Sequence, residues 1–189
     1  RRTLEDSADL IVFAREMEQT KRYFTFEVAR FGADRVEMEM RIDPRVEDML
    51  VPPFLLQPLV ENAVRHAMPS EGKLTIEVTG EVTGNDVIVR VCDNGVGMTE
   101  EARCNILHPE SSLGLGIAVK NVHDRICGYF GPGTHMEVDS ELGKGTCVIL
   151  ALKEGALREY QSGVRRLAIQ PACGAVRLHR SVVFLSRFV

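Results

Sequence analysis

At 189 residues, 44% hydrophobic and 26% charged, the chain has the composition of a globular protein with room for one well-buried domain and appendages. It holds no apolar run long enough to span a bilayer and no signal pattern at its start, and the opening Arg1-Arg2 without a Met reads as a piece of something longer. Net charge is −4, but residues 154–189 hold six Arg against two Glu, which leaves −8 on the preceding body and argues against nonspecific nucleic-acid binding.

Thr3 to Phe31 places Leu10, Phe13, Ala14, Met17, Phe24 and Val28 near helical spacing, with Gly32 set to end the run, so one long amphipathic helix is predicted. A packing helix is its simplest role. Val36, Met38, Met40 and Ile42 alternate with charged residues, a half-buried strand closed by Asp43-Pro44. A second helix is expected from Pro52-Pro53 to about Met68, with Pro58 tolerated only in or near its first turn. Leu74, Ile76, Val78 and then Val87, Val89, Val91 read as two strands of a hairpin turning at Gly84-Asn85. Ile117 to Phe130 reads as a third helix with Val119, Val122, Ile126 and Phe130 on one face and Gly131-Pro132 to stop it; Thr134 to Val138 and Thr146 to Leu152 read as strands. The fold expected is α/β, a two-layer sandwich of a mixed sheet covered by helices and preceded by one long helix. The five cysteines, Cys92, Cys104, Cys127, Cys147 and Cys173, form no CxxC pair and are expected to be reduced packing residues of a cytosolic protein.

Three strings carry chemistry. On the second helix Asn62, Arg65 and His66 project from nearly one face, while Leu55, Leu56, Leu59, Val60 and Ala63 supply the packed side. An amide oxygen from Asn62 suits a hard cation such as Mg²⁺, with Arg65 and His66 free to meet phosphate oxygens. Taken alone, the motif reads more simply as an exposed Glu61–Arg65 ion pair with Asn62 serving as a cap. The strand VIVRVCD ends in Asp93, with Gly95, Gly97 and Met98 after it; glycine lets a ligand approach the backbone, and a carboxylate accepts from the exocyclic amine of adenine but repels a guanine carbonyl. A plain Asp-Asn-Gly turn is the alternative, and Asp93 is expected to be an exposed sheet-end residue. Gly114, Leu115 and Gly116 precede a helix, where free N–H groups favour phosphate, and His108 to Leu113 has the composition of a lid.

In this order the strings resemble the ATP-binding domain of the sensor histidine kinases, in the superfamily that also holds DNA gyrase, the Hsp90 chaperones and the MutL mismatch-repair proteins. LQPLVENAVRHA resembles its N box, DNGVGM and LGLGIAVKNVHDRI its first two glycine boxes, and GKGT, which contains Thr146, its last. The wording QPLVENA, KNVHDRI and ARFG is similar to the LytS/YehU type of bacterial kinase, over residues 3–153. The resemblance implies ATP and Mg²⁺ as ligands, Asn62 on the metal, Asp93 on adenine, and Gly114, Leu115 and Gly116 by the phosphates. It also implies γ-phosphoryl transfer to a His and onward to a response-regulator Asp, a homodimeric parent, and a cytoplasmic domain tied to the inner membrane through segments upstream.

The sequence departs from the pattern in three places. Pro58 stands where the superfamily's ATPases carry a water-activating Glu, which suits a phosphate donor better than an ATPase. Ala118 replaces the second glycine of GIGL, unless Gly114 and Gly116 form that pair in a shifted register. The first histidine is His66, so the phosphoacceptor is expected outside this chain. The domains expected are 1–35, the second helix of a dimerisation unit; 36–153, the catalytic domain; and 154–189, a basic tail with no assigned role. A superfamily ATPase and a non-enzymatic nucleotide sensor are the alternative functions.

Overall fold

The structure, a computed structural model, describes residues 10–106 and 116–153. Expectations for residues 1–9, for the lid at 108–113 with Gly114 and Leu115, for Cys173 and for the tail lie outside the described residues.

Period-two alternation builds the sheet. β4 (Leu74–Thr83) and β5 (Asp86–Asp93) form the expected antiparallel hairpin, and their pleat turns Leu74, Ile76, Val78, Val87, Val89 and Val91 to one buried face. β7 (Gly145–Lys153) pairs antiparallel with β5, β6 (His135–Glu141) pairs antiparallel with β7, and β2 (Val36–Ile42) pairs parallel with β4. The result is a mixed five-stranded sheet of order β2-β4-β5-β7-β6. The antiparallel end gathers the start of β7 and the ends of β5 and β6 at one edge.

Three helices pack together beside this face. α1 (Phe13–Phe31), α3 (Gln57–His66) and α5 (Ile117–Phe130) place Phe13, Met17, Phe24, Leu59, Val60, Ala63, Val119, Val122, Ile126 and Phe130 in one core with the strand residues. The α5 stripe is the predicted one, and its four residues are each at most 2% exposed, worth about 1.5–3 kcal/mol apiece. α1 shares this core, which takes in both its Phe24 and Val36 of β2.

Several boundaries differ from the sequence reading. α1 begins at Phe13, because Ile11–Val12 (β1) extends and pairs with Leu50–Val51 (β3). α3 begins at Gln57 instead of Pro52, because Phe54 takes φ 60 in the intervening turn, outside helical space; Pro58 does fall in the first turn. Asp43-Pro44 closes β2 and also starts the short α2 (Pro44–Glu47), with Asp43 accepting from Arg45 N at 2.9 Å. α4 (Glu100–Asn105) was not foreseen, although Thr99 caps it by accepting from Ala102 N at 3.2 Å and Glu100 and Glu101 fill its first turn. Cys92 and Cys147 are joined in a disulfide, against the expectation of reduced thiols; they stand opposite one another in register on β5 and β7, with Cα atoms 4.0 Å apart. Cys104 is a free, exposed thiol.

Candidate functional site

The alternation of Val87, Val89 and Val91 continues to Asp93 and carries its carboxyl onto the buried, helix-covered face. Asp93 is 8% exposed, which corrects the expectation of an exposed sheet-end side chain. Its Oδ1 accepts from Gly95 N at 2.9 Å and from Thr146 N at 3.2 Å. Oδ2 has no hydrogen-bond partner among the described residues. Burial pushes the carboxyl up to about 6, and the two backbone amides work in the opposite direction. An acceptor with one oxygen fixed and the other uncommitted suits an amine-bearing ligand.

The loop after Asp93 is clamped by backbone on both sides. Asn94 Oδ1 accepts from Thr75 N at 2.8 Å and its Nδ2 donates to Lys73 O at 3.1 Å. Val96 N donates to Ala67 O at 3.0 Å, just past the end of α3, and a Cβ on Gly95 would lie 2.0 Å from that same oxygen. Gly97, at φ 65, would set a Cβ 2.0 Å from Glu141 O. The two glycines, which the sequence reading gave to ligand approach, are required here by protein backbone packed against them. Gly145, in the last glycine box, is held the same way: a Cβ there would lie 1.9 Å from Asp93 O.

Ser140 joins these pieces and was missed from sequence. Its hydroxyl accepts from Met98 N at 2.9 Å, donates to Gly145 O at 3.0 Å and lies 2.9 Å from Thr146 Oγ1. The signal was available: Ser140 is the polar third member of a buried row begun by Met136 and Val138. Asp93, Gly95, Gly97, Met98 and Thr146 therefore meet at one sheet edge, with the end of α3 beside them.

On α3, Asn62 is half-buried and makes no hydrogen bond with any described residue. Arg65 is exposed and forms no ion pair among the described residues; Glu61 instead accepts from Gln57 Nε2 at 2.7 Å, so the Glu61–Arg65 pair is not formed. His66 is half-buried, and burial first, then the charge of Arg65, lowers its pKa. Gly116 stands at the N-cap of α5 with its carbonyl accepting from Lys120 N at 2.8 Å, and α5 packs against α3. No hydrogen bond among the described residues joins Gly116 to Asp93.

Among the described residues, no three His, Cys, Asp or Glu side chains cluster as a metal cage. An uncommitted neutral amide on Asn62 fits a hard cation that keeps several waters and arrives with its phosphates.

Residues 54–156 match the profile of the family described as histidine kinase-, DNA gyrase B-, and HSP90-like ATPase. Sensor protein LytS of Bacillus cereus is 35% identical over 156 residues, which is 80% of this chain and 26% of that protein. Its namesake in Bacillus subtilis is 35% identical over 164 residues, 82% of this chain and 27% of that protein. The chain thus spans about a quarter of the length of these relatives. Among solved structures, the catalytic domain of histidine kinase ThkA superposes with a TM-score of 0.59 at 16% identity, covering 77% of this chain and 95% of that one. That likeness shows the same fold.

Proposed function

We propose, since the chain belongs to the family of histidine kinase-, DNA gyrase B-, and HSP90-like ATPases, that it is the ATP-binding catalytic unit of a two-component sensor histidine kinase. The observation that carries this reading is Asp93, a buried carboxyl whose Oδ1 is fixed by two backbone amides while Oδ2 stays uncommitted. Such an acceptor selects the amine of adenine over the carbonyl of guanine. The glycines and Met98 lie at the same end of the sheet, and Thr146 fixes the acceptor from the neighbouring strand. Asn62 would hold Mg²⁺, which would neutralise charge on the transferring phosphoryl group. Arg65 and His66 would meet phosphate oxygens, as would Gly114, Leu115 and Gly116, which precede α5 in the sequence.

With Pro58 one turn before Asn62, no carboxylate stands in the position that would activate water. The chemistry is therefore donation, and catalysis rests on positioning and charge neutralisation. In the parent protein, α1 would be the second helix of a dimerisation unit, a His upstream would accept the γ-phosphoryl, and a response-regulator Asp would receive it. The relatives' name, sensor protein, supports a role in signalling; the unit would lie in the cytoplasm, with an anchor in the inner membrane supplied by segments upstream. Calorimetric titration with ATP and GTP, each with and without Mg²⁺, tests the reading. Mg-dependent binding of ATP with no measurable GTP binding is expected, and equal affinity for both nucleotides would overturn it.

A further inference from the structure

Glu16 lies in α1 at 1% exposure, and its carboxylate is spent entirely on backbone. Oε1 accepts from Phe54 N at 2.7 Å; Oε2 accepts from Leu55 N at 2.8 Å and Leu56 N at 3.1 Å. These amides lead directly into α3. The first N–H groups of a helix have no internal partner and are normally met by the side chain of the N-cap residue. Here the N-cap is Leu56, whose own N–H is one of these orphans and is met by Glu16 of another helix 40 residues upstream, while the Phe54 and Leu55 amides belong to the turn before the helix.

The same turn is gripped from its carbonyl side. Arg125 of α5 donates Nη1 to Pro53 O at 2.9 Å and to Phe54 O at 2.8 Å, with its guanidinium 5.9 Å from the Phe54 ring centroid. Phe54 itself sits at φ 60, a left-handed conformation that a bulky side chain keeps only where its surroundings impose it. A carboxylate on the amides and a guanidinium on the carbonyls impose it. Two turns along α1, Tyr23 also feels α3: burial first, then Glu27 and Glu61, push its hydroxyl pKa up, while Arg65 opposes them.

We infer that Glu16 is a positioning residue for nucleotide binding: by fixing the turn at 53–56 it sets where α3 begins, and so where Asn62 stands. The inference rests on the reading of Asn62 as the metal-side ligand. It ties α1, which lies outside the family-matched residues 54–156, to the phosphate end of the site. A displacement of α1 then moves the metal ligand. Asp93 is held separately, by the β5–β7 register and the Gly95 amide.

The test is titration of ATP, with and without Mg²⁺, into the chain and into Glu16→Gln. The amide variant turns an N–H₂ toward backbone donors and leaves at least one of the three unpaired. Mg-dependent affinity should fall roughly tenfold or more while metal-free affinity changes little, as expected for misplacing one ligand. A folded Glu16→Gln with unchanged Mg-ATP affinity, or with equal losses in both conditions, overturns the inference. If that variant does not fold, hydrogen exchange of the Phe54, Leu55 and Leu56 amides in the unsubstituted chain decides. Mg-ATP should slow them more than ATP alone, by reciprocity of coupled sites, and indifference to Mg²⁺ overturns it. An unsubstituted chain that binds no ATP sinks the nucleotide-site reading itself, and the inference with it.

Discussion

Asp93 and Thr146 stand opposite one another in register across β5 and β7, and the Thr146 amide donates to Asp93 Oδ1 at 3.2 Å. The proposed adenine acceptor is therefore aimed by strand pairing. Ser140 extends the arrangement to a third strand by bonding both the Thr146 hydroxyl and the Met98 amide. A binding group held by sheet geometry costs little ordering on ligand entry.

Substitution at Asp93 should separate fold from binding. Asp93→Ala leaves the Gly95 and Thr146 amides without their acceptor, so at a pH near 3.8, where the carboxyl carries no charge in the fold, it should destabilise the protein by about 1–3 kcal/mol, and at neutral pH it should lose ATP. This differs from the expectation for an exposed side chain, whose removal would leave stability untouched. Asp93→Asn keeps an oxygen for the two amides and presents an N–H₂ where the second oxygen stood. It should melt no lower than the unsubstituted protein yet bind ATP at least about tenfold more weakly. Thermal melts and calorimetry check both halves; an Asn variant with full ATP affinity would remove the adenine role.

Acidity should act on the same residue in two opposite ways. The Asp93 carboxyl is raised from 3.8 to about 6 in the fold, chiefly by burial. The folded state therefore holds more protons than the unfolded state between those values, and stability from this group is full below 3.8 and lost as pH rises through about 6. The loss is at most about 3 kcal/mol. Asp93→Asn does not titrate, so its stability relative to the unsubstituted chain should rise across that window. ATP affinity should run the other way, falling as pH drops below about 6 and the carboxylate acceptor is protonated. Denaturant melts and titrations at stepped pH measure both trends, and flat profiles would show that Asp93 keeps an ordinary carboxyl.

Periodicity made much of this legible in the sequence. The α5 stripe from Val119 to Phe130 and the hairpin rows from Leu74 to Val91 are local patterns that the packed structure keeps. The buried placement of Asp93 and Ser140 followed from the same rows, but the motif drew the eye to the glycines. The true cause at Gly95 and Gly97 is the carbonyls of Ala67 and Glu141, at least 28 residues away in sequence, and no local rule reports that. Glu16 is the extreme case. Among the charged residues of an amphipathic helix nothing marks it for burial, because its partners are amides 38 to 40 residues downstream.

Asn62 should be replaceable at little cost to the fold. Its side chain is half-buried and bonded to no described residue, so Asn62→Ala should leave the melting temperature within a degree or two. Mg-dependent ATP binding should weaken far more than metal-free binding, because only the first uses the amide oxygen as a ligand. Equal losses with and without Mg²⁺ would contradict the ligand assignment.

The chain alone should bind ATP yet neither label itself nor hydrolyse ATP at an appreciable rate. The donor half is present in Asn62, Asp93 and the glycine-rich sequence ahead of α5, while the position that would carry a water-activating carboxylate is Pro58. Without that base, water in the site is not activated, and the barrier to hydrolysis stays high. None of the assigned residues is a phosphoacceptor, since Arg65 and His66 are read as phosphate contacts. Transfer should return when a longer chain supplies the upstream acceptor helix, because bringing a nucleophile beside the γ-phosphate is worth several orders of magnitude in rate. Radiolabelled ATP with both chains side by side measures this. Acid-labile label on the short chain, or brisk release of phosphate from it, would move the ATPase reading ahead of the kinase one.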